Sequence, residues 1–405
     1  MMYHAYQAFS DFFEPVRWAA AWTRMGLDSG LARNGYSMLL RNAAALSELT
    51  VNTRLTHRRP DFGIETVMVG NQLTQVSEEP TEVTPFGTLL HFKKDVDTIQ
   101  PRVLVVAPMS GHYATLLAGT VKTLLPEHDV FLTDWHNARD IAVEDGRFDL
   151  DSYIEHMIRW IEVIGPGAHV VAVCQPCVAA LAAVAVMAEA GHPDQPRSMT
   201  LMAGPIDCRI NPTKVNELAT SKPIEWFERM LISTVPYGFA GSGRRVYPGF
   251  LQLTAFMSMN LSRHVKAHMD LYRHLLLGDT EKAATVRTFY DEYFAVADLP
   301  AEFYLTTVKT VFQDYDLALG RFRYQGRTIN PAAIRRTALL TVEGERDDIC
   351  SIGQTLAAQD LCRSIRPYMK RHHMQTGVGH YGVFSGNRWN SQVYPIVRNM
   401  ILANN

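Results

Sequence analysis

Five short runs of unbroken apolar character constrain this chain more than any other feature: Val103 to Ala107, Val130 to Thr133, His169 to Val173, Met199 to Met202 and Leu339 to Val342. A strand with one wet face alternates, whereas a strand that is apolar throughout must be covered on both faces. Helix-patterned segments such as Tyr153 to Ile164 and Val178 to Ala190 lie between the runs. This strand-helix alternation predicts the α/β class, with a mostly parallel sheet and helices on both faces. Two further β-rich runs, Glu65 to Val69 and Gly87 to Phe92, precede it. The alternation stops after Gly204-Pro205 and resumes at Leu339, and the stretch between is rich in aromatic and Met-containing helical segments such as Leu251 to Leu277. Residues 205–330 are therefore expected to be a helical cap inserted into a sheet domain formed by residues 61–204 and 331–405. Residues 1–60 carry aromatics at helical spacing, as in Phe13, Val16, Trp18, Ala19, Trp22 and Met25, and read as an amphipathic N-terminal helical extension whose stripe packs on the main domain, with docking on a particle as the second reading.

Charge and cysteine content narrow the function. Lys and Arg total 39 against 41 acidic residues, which leaves no basic surplus for nucleic acid. Met1 to Val16 lacks the basic flank and apolar run of a secretory signal, and the longest apolar stretch, Cys177 to Met187, is too short to span a bilayer. A cytoplasmic protein is expected. The five cysteines, Cys174, Cys177, Cys208, Cys350 and Cys362, are odd in number and widely spread, so reduced thiols are expected rather than a disulfide framework.

One of these thiols stands where chemistry is done. His169-Val-Val-Ala-Val-Cys174-Gln-Pro-Cys177 puts a cysteine directly after a buried strand and before an Ala-rich helix. In such a nucleophile elbow, small neighbours permit a tight turn, and the free N–H groups of the helix start stabilise a thiolate and an oxyanion. Ala172 is the small residue before the turn, and Pro176 suits a first helical turn because its missing N–H is not needed there. Cys177 is the competing nucleophile, three residues on and inside the expected helix. Cys174-Gln-Pro-Cys177 also fits the C-x-x-C spacing of thiol-disulfide proteins, although no small thioredoxin-sized unit can be cut out around it. No second pair at zinc-ligand spacing follows, and both thiols as buried small apolar groups remain the plain alternative.

A thiol that transfers acyl groups needs an imidazole to manage protons and a carboxylate to orient that imidazole. Leu339-Leu-Thr-Val-Glu-Gly344-Glu-Arg-Asp347-Asp348 is a buried strand ending in a Gly turn, which nominates Asp347 as the acid, with Asp348 as its neighbour and rival. Gly377-Val-Gly379-His380-Tyr-Gly382 nominates His380 as the base. The order Cys, Asp, His is similar to the order of roles in α/β-hydrolases. The oxyanion hole would use the N–H of Gln175 and that of Met109 or Ser110, in the turn-rich loop Pro108-Met-Ser-Gly-His112 after an earlier strand. Ser110 as nucleophile is the alternative, but it has no elbow of its own.

Nearly the whole chain resembles the intracellular poly(3-hydroxybutyrate) depolymerases. The resemblance rests on Met2-Tyr3, Ala107-Pro-Met-Ser-Gly-His112, Thr133-Asp-Trp-His-Asn-Ala-Arg139, Val173-Cys-Gln-Pro176, Met202-Ala-Gly-Pro-Ile-Asp207, Gly344-Glu-Arg-Asp-Asp348 and Gly379-His-Tyr-Gly382. It implies an α/β-hydrolase fold, a Cys174 nucleophile with Asp347 and His380, a storage-polyester granule as partner, and no cofactor or metal. Coenzyme A is a proposed acyl acceptor in that family. The elbow is also similar to the G-x-C-x-G-G box of polyhydroxyalkanoate synthases, with Ala172, Pro176 and Cys177 where the synthases have glycine, so a synthase-like acyltransferase is the second reading.

Overall fold

The computed structural model describes residues 2–28, 38–52, 55–96, 98–259 and 261–405. Nine strands form one sheet: β1 (Thr66–Val69), β2 (Gln72–Val83), β3 (Gly87–Lys94), β4 (Arg102–Val106), β5 (Asp129–Trp135), β6 (His169–Val173), β7 (Ser198–Met202), β8 (Ala338–Gly344) and β9 (Lys370–Gln375). Their order is β1-β2-β3-β5-β4-β6-β7-β8-β9. The first three are joined antiparallel, β3 is antiparallel to β5, and from β5 to β9 every pairing is parallel.

Side-chain alternation divides the interior into two cores. Leu104, Val106, Val170, Ala172 and Leu201 face one side, where α4 (Leu150–Ile164) and α5 (Pro176–Glu189) cover them. Val103, Val105, Val171, Val173 and Val342 face the other, under α3 (Ala118–Leu124) and α9 (Tyr394–Leu402). Both faces are dry, which is why these strands are apolar throughout. With β2 and β3 antiparallel at one side and the order crossing at β5-β4-β6, this is an α/β-hydrolase fold. The connection after β4 leaves on the α3 face and the one after β6 on the α5 face, so a crevice opens between the carboxyl ends of these two adjacent strands.

Between β7 and β8 the chain forms helices that include α6 (Gly249–Met259), α7 (Leu261–Leu277) and α8 (Thr280–Tyr293). The stretch is not purely helical: Ser233–Thr234, Arg245–Tyr247 and Leu299–Pro300 make a small antiparallel sheet. At the N-terminus, α1 (Met2–Asp28) is followed by α2 (Met38–Asn52). The expected packing stripe on α1 needs correction. Trp18, Ala19 and Trp22 are exposed, Phe13 is half-buried, and the side chains of Val16 and Met25 lie outside the described residues. The anchor is instead the first turn. Fully buried Tyr3 packs on Phe250 and Val246 and donates its hydroxyl to Asp298 Oδ2 at 2.6 Å, while Tyr6 stacks on Phe250 at 4.0 Å. A polar tip that reaches a buried carboxylate anchors Tyr3.

Candidate functional site

β6 ends at Val173, and Cys174 takes φ +68° before α5 begins at Pro176. A side chain in the left-handed region costs about 1–3 kcal/mol and persists only where neighbours enforce it. Here the Cys174 N–H donates to Met202 O at 2.8 Å, extending the β6-β7 ladder, and the Cys174 carbonyl accepts the Cys177 N–H at 3.1 Å. Gly204 makes room for the turn, since a Cβ there would overlap Cys177 Cβ and Sγ. The result is a half-buried Cys174 thiol at the crevice and a fully buried Cys177 thiol beneath it, directed to Ala172 O and Met202 O. Burial pushes the Cys177 pKa far up, so that thiol stays protonated.

Asp347 follows β8 in a turn closed by its own N–H to Gly344 O at 3.3 Å. Its Oδ1 accepts the N–H groups of Ile349 at 2.9 Å and Cys350 at 2.8 Å, which leaves Oδ2 to meet His380 Nδ1 at 2.8 Å. Since the carboxylate only accepts, Nδ1 carries the proton and Nε2 is the ring atom left for other work. The loop can turn this tightly because a Cβ on Gly382 would stand 2.7 Å from Val378 Cβ. Cys174 stands near enough to the His380 ring to act on it electrostatically. Burial by itself lowers the His380 pKa, but the Asp347 carboxylate and Cys174 outweigh it and hold the imidazole well above its ordinary value. Cys174, His380 and Asp347 are thus brought together across the carboxyl ends of β6 and β8. Asp348, the rival acid, is exposed and lines the cleft instead of bonding His380.

The loop after β4 meets the elbow because Val106 pairs with Ala172, which sets Ala107 to Ser110 beside Val173 and Cys174. Ala107 is held from three directions: its N–H donates to Thr133 Oγ1 at 2.9 Å, and its carbonyl accepts Trp135 Nε1 at 3.0 Å and the Tyr153 hydroxyl at 3.1 Å. Among the described residues, the N–H groups of Met109, Ser110 and Gln175 bond no protein acceptor. They are donors standing at the crevice, and Gln175 is the N-cap of α5, where the helix dipole adds to them. Ser110 sits in this loop without a positive φ, and the next helical turn starts only at Ala114, so it has no strand-to-helix elbow of its own.

Two supporting residues went unnoticed in the sequence. Glu343, fully buried at the end of β8, accepts the N–H groups of Gly353, Thr355 and Leu356 at 2.8–3.0 Å through its carboxylate. Thr355 Oγ1 then bonds both the N–H of Gly204, at 2.8 Å, and its carbonyl, at 3.0 Å. A carboxylate inside an otherwise apolar strand run, Leu339-Leu-Thr-Val-Glu343, was the available signal.

A cleft of about 780 Å³ opens at His380. Its inner wall is the His380 loop with Arg346 and Ile349; its outer wall is His264 of α7 and Val286, Phe289, Tyr290 and Tyr293 of α8. His380, and not Cys174, faces this cleft.

Several solved structures are similar in shape at low identity. A thermophilic esterase from Thermogutta terrifontis is 14% identical, with 80% of this chain and 99% of that one covered at a TM-score of 0.43. The 2-hydroxy-6-oxo-6-phenylhexa-2,4-dienoate hydrolase of Rhodococcus sp. strain RHA1 is 12% identical, covering 81% and 99% at 0.41. A monoacylglycerol lipase from Paleococcus ferrophilus is 10% identical, covering 74% and 94% at 0.43. No curated protein sequence matches the chain. Residues 203–405, half of the chain and the part that contributes Asp347, His380 and the cleft's outer wall, match the family model described as PHB de-polymerase C-terminus, and the chain belongs to that family.

Proposed function

We propose that this protein is an intracellular depolymerase of poly(3-hydroxybutyrate) that works through an acyl-enzyme on Cys174. Family membership makes the chain a carboxylic ester hydrolase. The observation that carries the finer reading is the Asp347–His380 hydrogen bond, with Cys174 acting on the same imidazole from a left-handed elbow at a helix start. The Cys174 thiolate attacks the ester carbonyl, and the N–H groups of Gln175 and of Met109 or Ser110 hold the resulting oxyanion. Collapse breaks the C–O bond, and His380 passes its proton to the leaving 3-hydroxy alkoxide. His380, now neutral, takes a proton from water as the hydroxide adds to the thioester, and the acid leaves as the thiolate re-forms. Asp347 keeps the imidazole in the required tautomer throughout. Products are 3-hydroxybutyrate and short oligomers.

In this reading residues 61–204 and 331–405 are the hydrolase core, residues 205–330 the cap that walls the cleft, and residues 1–60 an extension. Among the described residues no helix is long and apolar enough to cross a membrane. We place the protein in the cytoplasm on polymer granules, a placement supported by the exposed Phe12, Trp18 and Trp22 of α1. Water is the proposed acyl acceptor.

The test is release of soluble 3-hydroxybutyrate from amorphous polymer by wild type, Cys174→Ala and Cys177→Ala, with and without coenzyme A. Release by wild type and Cys177→Ala alone supports the reading. Release of 3-hydroxybutyryl-coenzyme A in place of free acid makes the step thiolysis. No release by any of them, with polymer formed from 3-hydroxybutyryl-coenzyme A, replaces it with the synthase reading, and an activity that needs Cys177 as much as Cys174 replaces it with disulfide exchange.

A further inference from the structure

The outer wall of the cleft at His380 has a second apolar face behind it. On the far side of His264 lies a second groove of about 390 Å³, walled by Leu46 and Leu49 of α2 and by Leu261, Val265 and Met269 of α7. His264 lines both cavities. Its Nδ1 is 3.1 Å from the Tyr290 hydroxyl and its ring stacks on Tyr293 at 5.2 Å, so the side chain separating the two spaces is held by the same α8 aromatics that face His380. Residues 261, 265, 269 and 272 form an i, i+4, i+8, i+11 stripe, the pattern by which a helix ordinarily buries an apolar face. Here that stripe is open: Leu261 is 59%, Val265 50% and Met269 59% exposed.

We propose that this α2–α7 groove binds a single strand of aliphatic polyester drawn from the polymer surface, and leads it past His264 to His380. The inference rests on the depolymerase reading. A chain of short methyl-bearing ester units is apolar along its length and carries only weak acceptors, so it is recognised by aliphatic and thioether walls rather than by charge. Most of the groove's lining is of that kind, with His264, His268 and Tyr272 as its aromatic members, and the groove adjoins the cavity that holds His380, the two sharing His264 as a wall. A polymer anchored several units from the scissile bond would supply binding energy that short esters cannot.

The experiment compares wild type with Val265→Glu/Met269→Glu, whose sites are exposed enough to accept charge, and with Leu46→Glu on the opposite wall. Each is assayed on amorphous poly(3-hydroxybutyrate) and on p-nitrophenyl butyrate, and Met269→Leu is the conservative control. The charged variants are expected to lose about tenfold or more on polymer, the scale of exchanging apolar contacts for charge. Hydrolysis of the soluble ester should stay within about twofold, and Met269→Leu should behave as wild type on both. Unchanged polymer turnover in the charged variants overturns the groove. So does an equal loss on both substrates, or a wild-type dimer that the charged variants dissolve, which would give the groove to a second copy of the chain. If wild type cleaves the soluble ester but releases nothing from polymer, the depolymerase reading itself fails.

Discussion

The two walls of the cleft are built by different means. On the sheet side, Cys174, Asp347 and the oxyanion donors stand at strand ends whose backbone groups are bonded into the ladder or to buried side chains, and a single added methyl at Gly204 has nowhere to go. On the helical side, α7 and α8 meet the cleft through stacked rings, His264 on Tyr293 and Phe289 on Tyr293 at 5.4 Å, while much of the α7 surface is open. Proton transfer and oxyanion binding tolerate errors of only a few tenths of an ångström, and the residues proposed for them stand on the stiffest part of the fold. Holding an irregular polymer, the role proposed for the helical side, demands area rather than precision, and an open apolar helix face offers that area.

That contrast can be broken at several points. The largest effect is expected on the sheet side from Asp347→Asn, which keeps the shape and loses the charge: kcat should fall by about 10³–10⁴-fold through the wrong imidazole tautomer. The pH profile sharpens this. Because the His380 pKa is raised, its proton survives through neutral pH and is lost as pH climbs, so acylation, which needs that proton for the leaving alkoxide, declines on the alkaline side. In Asp347→Asn the decline should move down toward the ordinary imidazole value of about 6.5. An unmoved alkaline limb would remove His380 from the proton-donor role.

Next in size is Gly204→Ala, expected to cost about 1–3 kcal/mol of stability or more by overpacking against Cys177. Cys177→Gly in the same chain removes the clashing atoms and should recover part of the loss, visible as coupling in urea melts. Purely additive effects would mean that the elbow and Gly204 are not packed as described. A cut of the same volume on α7 should leave stability nearly untouched.

The smallest effect concerns the seam between the two regions. His112, whose Nε2 meets Tyr293 O at 3.2 Å, is pulled down to about 4 by burial. Unfolded, it takes up a proton near 6.5, whereas folded it stays neutral until about 4, so unfolding binds a proton and stability falls as pH drops between those values. One such histidine contributes a slope of at most about 1.4 kcal/mol per pH unit. Urea midpoints of wild type and His112→Gln at pH 6.5 and 5 should show the variant losing less on acidification; equal losses would mean that His112 is protonated in the folded protein.

How much of this was legible in the sequence follows the same division. The five buried strands were found to within about two residues, because a strand covered on both faces leaves an unbroken apolar run. The pairing of Asp347 with His380 and the strand-to-helix turn at Cys174 were legible from order and local context, and the catalytic roles proposed for them rest on that placement. β2 and β9 were not: Gln72–Val83 and Lys370–Gln375 lie toward the sheet's margins, the first exposing most of its side chains and the second half of them, and both carry charged residues, so nothing apolar marks them. The role of Thr133 and Trp135 in pinning Ala107 depends on β5 lying beside β4, a pairing that no local pattern encodes. The α1 stripe misled because helical periodicity reveals an apolar face but not whether anything covers it.

The central claim is that the acyl group passes through Cys174. The most direct measurement is rapid acid quench of wild type turning over a soluble 3-hydroxybutyrate oligomer, followed by peptide mass spectrometry with fragmentation that separates Cys174 from Cys177. A 3-hydroxybutyryl adduct on Cys174, formed before steady state and released by hydroxylamine, is the predicted result; an adduct on Ser110 or Cys177, or turnover with none on Cys174, would contradict the account.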